Sequence, residues 1–101
     1  MNVALLHEAL RAVCENPYWK EYYEEAPTDN CKLYIAFEFM LSEAALNDWH
    51  IDEDEIREKK NQLEGSFHYP DWKHLLKYSG HNPLRSYYRR MMEQPIQDSA
   101  Q

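Results

Sequence analysis

Apolar residues recur along this chain at helical spacing, and proline, asparagine and glycine cut the recurrence into short blocks. Val3, Leu6, Leu10 and Val13 repeat as one face of a helix over residues 3–15, with Asn2 placed to cap its start. Asn16-Pro17 ends that helix and opens a second, with Asn as N-cap and Pro at the first helical position. Trp19, Tyr22, Tyr23 and Ala26 line one side of the second helix, Glu21, Glu24 and Glu25 line the other, and Pro27 closes it.

Thr28 or Asp29 caps a third helix, which the pattern carries to about Asn47. Leu33, Ile35, Phe37, Phe39, Met40, Leu41 and Leu46 cover nearly its whole circumference, the mark of a buried central helix. Leu33, Ile35, Phe37, Phe39 and Leu41 also alternate as a strand would. Helix is preferred because residues 42–46 continue helically and no second strand offers itself as a partner.

Asp52 and Glu55 form a capping box for a fourth helix that ends at Gly65, an expected C′ glycine. Only Ile56 and Leu63 give it apolar contacts, and Glu53–Arg57 and Glu55–Lys59 pair along its surface, so it reads as peripheral and mostly solvent-facing. Pro70 opens a fifth helix with Trp72, Leu75 and Leu76, closed by Gly80. Asn82-Pro83 opens a sixth with Leu84, Tyr87, Tyr88 and Met91 on one stripe, closed before Pro95. Both Asn-Pro openings lead into a Tyr-Tyr pair, but in registers that differ by one residue, so no repeat is assigned. The expectation is an all-α protein: a compact bundle of five to six short helices around a buried central one, as a single domain over 1–94 with a flexible tail at 95–101. A chain of 101 residues has room for one such core.

Composition changes this picture in one respect. Eight Tyr and three Trp are more than a core needs, and both types suit a half-buried rim or a binding surface. Charge changes it in another. Residues 1–58 hold four basic against fourteen acidic residues, a balance of −10, while residues 59–101 hold seven against four, a balance of +3. An acidic front repels nucleic acid and attracts basic surfaces, besides keeping the protein soluble. Cys14 and Cys31 both fall inside apolar helical patterns and form no Cys-x-x-Cys pair, which reads as two small buried hydrophobes in a reducing compartment. The first residues lack a basic region and their apolar stretch breaks at His7 and Glu8, so no signal peptide is read there. No apolar run approaches a membrane span, and the expected location is the cytoplasm.

Several chemistries are argued against. The two glycines, Gly65 and Gly80, are assigned to helix ends, so no phosphate-cradling loop can be built. His7-Glu8-Ala9-Leu10-Arg11 starts like a zinc-protease helix but puts a cation at the second ligand position. Asp48, His50, Asp52 and Asp54 alternate like a calcium loop, but Glu53 stands where glycine is required and Lys59 where the closing Glu belongs. No Gly-x-Ser-x-Gly turn occurs. Cys14 lies on or beside the apolar stripe, which marks an inert thiol rather than a partner for His7. His68, His74 and His81, with Asp71 nearby, match no standard metal-ligand spacing and are kept only as a metal-dependent enzyme alternative. No cofactor is expected, and no residue is nominated as a general acid.

The remaining signals concern contact with other molecules. Tyr18, Trp19, Glu21, Tyr22, Glu24 and Glu25 form an aromatic and acidic helix, with Asp52, Glu53 and Asp54 as a second acidic group. The leading reading is a non-catalytic protein-binding module, an adaptor or inhibitor that docks on the basic surface of a partner protein. Small phage- or plasmid-type inhibitors that occupy a nucleic-acid-binding surface are an analogy of class. The runner-up is a small regulator that touches nucleic acid through Lys73, Lys77, Arg85, Arg89 and Arg90, which are interleaved with aromatics. A homodimer joining the acidic helix of one copy to the basic helix of another is a third arrangement. No reading involves a membrane.

Overall fold

In a computed structural model of the chain, residues 2–78 and 85–93 are described, and their regular structure is helical throughout. Six helices follow in order: α1 (Val3–Glu15), α2 (Pro17–Glu24), α3 (Asp29–Glu43), α4 (Glu53–Glu64), α5 (Tyr69–Tyr78) and α6 (Arg85–Glu93). The strand alternative over 33–41 is thereby replaced by helix. Gly80, His81, the Asn82-Pro83 opening, Leu84 and the tail 95–101 lie outside the described residues. The sequence leads to one domain over 1–94; the structure divides into two compact units, Met1–Ser66 and Phe67–Gln101.

Side-chain caps set the helix starts of the first unit. Asn2 accepts from the Leu5 N–H at 3.2 Å, Thr28 from Cys31 at 3.1 Å and Asp52 from Glu55 at 3.2 Å, each satisfying an amide that the first turn leaves unpaired. Asn16 serves two helices. Its N–H donates to the Val13 carbonyl at the end of α1, and its side-chain oxygen accepts from Tyr18 and Trp19 at the start of α2. The chain therefore turns from α1 into α2 at a single residue.

Helix α3 is the centre of this unit, contacting α1, α2 and α4. Every residue from Tyr34 to Met40 is buried, as its circumferential apolar pattern requires. Ala9 of α1 and Ile56 of α4 join Phe37 and Met40 in the core, bordered by Leu5, Leu6, Leu33, Leu41, Trp49, Ile51 and Leu63. Of the two thiols, Cys31 is buried and Cys14 half-buried, and both are free.

Regular α3 ends at Glu43 rather than near Asn47. A helix-type bond from the Asn47 N–H to the Glu43 carbonyl follows at 3.0 Å, and the Trp49 N–H then closes on the Ala44 carbonyl at 2.9 Å. Asp48 makes this closure possible by taking a left-handed conformation at φ 58°. The arrangement is a Schellman-type stop with Asp where glycine is usual, a position whose short polar side chain tolerates that region. Helix α4 ends at Gly65 as expected, but Gly65 is its C-cap with right-handed helical angles, φ −64° and ψ −18°, and not a C′ glycine.

In the second unit, the Asp71 carboxylate accepts from the His68 N–H at 2.9 Å and so closes the start of α5 from its first turn. This start lies one residue ahead of the expected Pro70. Helices α5 and α6 contact each other, and Trp72 is the hub, with ring centroids 5.1 Å from Phe67, 5.9 Å from Tyr87 and 6.1 Å from Tyr88.

Because Gly65 uses no left-handed angle, and a β-carbon there would meet only the Gln62 carbonyl at an ordinary 3.4 Å, Gly65→Ala is expected to stabilise the protein by about 0.4–1 kcal/mol through the unfolded chain. Urea denaturation measures this; a loss of stability would contradict the right-handed assignment.

Candidate functional site

Helix α2 and the two residues after it separate by exposure. Tyr22 and Ala26 are buried and Trp19 and Tyr23 half-buried against the core, while Tyr18, Lys20, Glu21, Glu24 and Glu25 are exposed. Tyr18 stands 77% exposed at the start of the helix, with Glu21 and Glu25 one and two turns further along the same side. Of the residues expected on a binding face, the structure leaves Tyr18 and the three glutamates outside. Trp19 is at the edge. Tyr22 is corrected to the interior, at 6% exposure.

Trp19 continues inward as a row of rings. Its centroid lies 6.3 Å from Tyr18 and 5.3 Å from Phe39 of α3, and Phe39 lies 6.0 Å from Trp49. Trp49 is half-buried, and its indole N–H donates to Glu8 of α1 at 2.9 Å. Leu46, in the same turn, is 81% exposed. The sequence reading did not nominate Trp49 or Glu8. No sequence signal marked Trp49: it follows the left-handed Asp48 at the end of α3, an angle only the structure shows.

A second feature that the sequence reading missed lies inside the unit. Glu38 is only 7% exposed. The Tyr22 hydroxyl donates to its Oε1 at 3.0 Å, and the Lys60 ammonium sits 3.7 Å from its Oε2. The same ammonium lies 4.7 Å from the centre of the Tyr34 ring, whose hydroxyl donates to Glu64 at 2.8 Å. Three helices, α2, α3 and α4, thus meet on one buried ion pair. Burial lowers the pKa of Lys60 and Glu38 opposes that shift; burial raises the pKa of Tyr22 well above the usual phenol value, and Glu38 adds to it. The expectation that α4 is mostly solvent-facing omitted this residue, although Lys60 falls on the Ile56–Leu63 stripe and Glu38 interrupts an apolar run.

Asp52, Glu53 and Asp54 are exposed at the start of α4, where their charges oppose the helix dipole. Asp52 is the cap, and Glu53 pairs with Arg57 at 3.0 Å. In the second unit Lys73, Lys77, Arg85, Arg89 and Arg90 are all exposed. Lys73 lies 6.0 Å from the Tyr69 ring centre, Lys77 5.1 Å from that of Tyr78 and Arg90 5.8 Å from that of Tyr87, and Arg85 donates to the Leu76 carbonyl at 3.4 Å. His68 is exposed and His74 is buried beside Tyr78, 4.9 Å between ring centres; His81 lies outside the described residues. Among the described residues no three His, Cys, Asp or Glu side chains are grouped to hold a metal ion, and no helix is long and apolar enough to cross a membrane.

Compared with known proteins, the chain matches no family model, no curated protein and no solved structure.

The buried pair generates two expectations. Lys60→Ala removes this cation from a buried carboxylate and is expected to cost about 3–5 kcal/mol, while replacing Glu38 and Lys60 together by Met is expected to be neutral or stabilising; urea melts of the three proteins decide, and a double variant as weak as the single one would contradict the argument. Tyr22 holds its proton in the folded protein to a higher pH than when unfolded. Its contribution to stability is therefore complete below pH ~10 and falls as pH rises above that value. Tyr22→Phe is expected to flatten this alkaline loss in denaturation curves collected between pH 8 and 11.

Proposed function

We propose that this protein is a non-catalytic protein-binding module that docks on a basic surface of a partner protein through the outer side of α2, acting as an adaptor or inhibitor. The observation that carries the reading is the exposure of Tyr18, Glu21 and Glu24 on a helix anchored by the buried Tyr22, with the exposed Glu25 directly after it. A tyrosine held on an ordered helix supplies contact area at small entropic cost, and neighbouring carboxylates select a cationic partner. The first unit holds six basic and fifteen acidic residues, a balance of −9, so its long-range field draws the same class of partner. Asp52, Glu53 and Asp54 add to that field from α4.

Nucleic-acid binding by Lys73, Lys77, Arg85, Arg89 and Arg90 is the second reading, supported by the exposure of all five and by the stacking of three of them on tyrosines. It ranks below the first because the whole chain carries −7 and repels phosphate at long range.

Affinity capture from a native lysate at stepped salt, with the wild-type protein and a Tyr18→Ala/Glu21→Lys/Glu25→Lys variant, tests both. A basic protein retained by the wild type and reduced about tenfold or more by the variant is the expected result. Equal capture by both proteins removes the first reading. Nucleic acid recovered directly, and lost on Arg89→Glu in a gel shift, replaces it with the second.

A further inference from the structure

Beyond α2, the first unit carries a continuous strip of rings that crosses three elements. It runs from Tyr18 and Trp19 over Phe39 to Trp49, in ring-to-ring steps of 6.3, 5.3 and 6.0 Å. Phe39 is buried and acts as the floor. Trp19 and Trp49 are half-buried next to it, Tyr18 is 77% exposed at one end, and Leu46, three residues before Trp49, is 81% exposed. One carboxylate touches the strip, and helix spacing puts two more on the helices that lead to it. Glu8 holds the Trp49 indole at 2.9 Å and remains exposed. Glu15 lies two turns beyond Glu8 on the same side of α1, next to the Asn16 turn that leads to Tyr18. Glu21 lies one turn beyond Tyr18 on α2.

Trp49 follows the left-handed Asp48 of the α3 stop and borders the core while staying half-open. Two tryptophans left half-open beside a tyrosine and a leucine make an apolar surface of the kind that marks contact sites. Aromatic faces suit two occupants, nucleobases and guanidinium groups. Glu8, Glu15 and Glu21, in a unit of balance −9, exclude the first, since each base arrives with a phosphate. They favour the second: arginine stacks flat on an aromatic ring while its fork pairs with a carboxylate, whereas lysine is a compact, strongly hydrated charge that does neither as well.

We infer that the strip from Tyr18 to Trp49 is a docking groove for an arginine-rich segment of a partner protein, with guanidinium groups stacked on Trp19 and Trp49 and paired with Glu8, Glu15 and Glu21. The inference rests on the protein-binding reading above and deepens it by naming what the partner presents. Three ring-to-ring steps span at most on the order of five residues of extended chain, so a short segment suffices.

The test is a titration of the full chain with three fluorescent probes: an arginine-rich peptide, a lysine peptide of equal length and charge, and a single-stranded oligonucleotide. Anisotropy reports binding and tryptophan emission reports its location, because Trp72, the third tryptophan, lies buried in the second unit. The arginine peptide is expected to bind about tenfold tighter than the lysine peptide and to change the tryptophan emission. Tyr18→Ala and Glu15→Lys/Glu21→Lys, all at exposed positions, are expected to weaken it about tenfold with an unchanged circular dichroism spectrum. Equal affinity for the two peptides, or binding that leaves the emission and the Tyr18→Ala protein unaffected, overturns the groove while leaving general docking on basic surfaces intact. Absence of peptide binding, or preference for the oligonucleotide, also overturns it. The lysate capture then decides separately whether the protein-binding reading itself stands.

Discussion

A carboxylate placed in a helix that is buried on every side must find a cation and a donor or give up its charge. Glu38 is in that position, between Phe37 and Phe39, and it recruits the Lys60 ammonium from α4 and the Tyr22 hydroxyl from α2. The pair adds little net stability, because removing two charges from water offsets most of their attraction. Its consequence is geometric. A misplaced Lys60 or Tyr22 would leave Glu38 buried without these two partners. The polar contact thus penalises docking of α2 or α4 in any register that parts Tyr22 or Lys60 from Glu38.

The register of α2 in turn sets what this unit shows to its surroundings. With Tyr22 pointed inward at Glu38 and Trp19 turned onto Phe39, Glu21 and Glu24 face out, and Tyr18, one turn before Tyr22, stays exposed at the helix start. The surface proposed to bind a partner is therefore the complement of the buried pair. A change at Glu38 or Lys60 acts on that surface indirectly, by loosening the helix that carries it. Among the described residues every buried polar side-chain atom has a hydrogen-bond partner, so none of them stands waiting for a ligand inside. The reactive-looking groups, a lysine of lowered pKa included, are occupied with each other.

The two ends of the chain differ in charge and in how their aromatics are used. In the first unit the half-open rings are bordered by carboxylates; in the second, cations stack on Tyr69, Tyr78 and Tyr87. Rings of the same kind thus stand beside opposite charges in the two units, and for this reason charge ranks above aromatic content in choosing between the two functional readings.

The helices, their caps and most of their ends were legible from local pattern, because a cap, a proline or an apolar stripe acts within a few residues of itself. Asn16, Thr28 and Asp52 could be assigned without knowing any distant contact. Asp48 escaped because a left-handed aspartate leaves no trace that distinguishes it from the other acids around it, and Gly65 misled because a glycine at a helix end need not use its freedom. Which aromatic faces water is another matter. Tyr18 and Tyr22 are four residues apart on one short helix. One is exposed and one is buried because Glu38 lies sixteen residues from Tyr22 in sequence and beside it in space. Trp49 is likewise placed by Glu8, forty-one residues away. Burial and pairing depend on elements brought together across the chain, so the proposed face could be assigned to a helix in advance, but which of its residues are exposed was decided by packing.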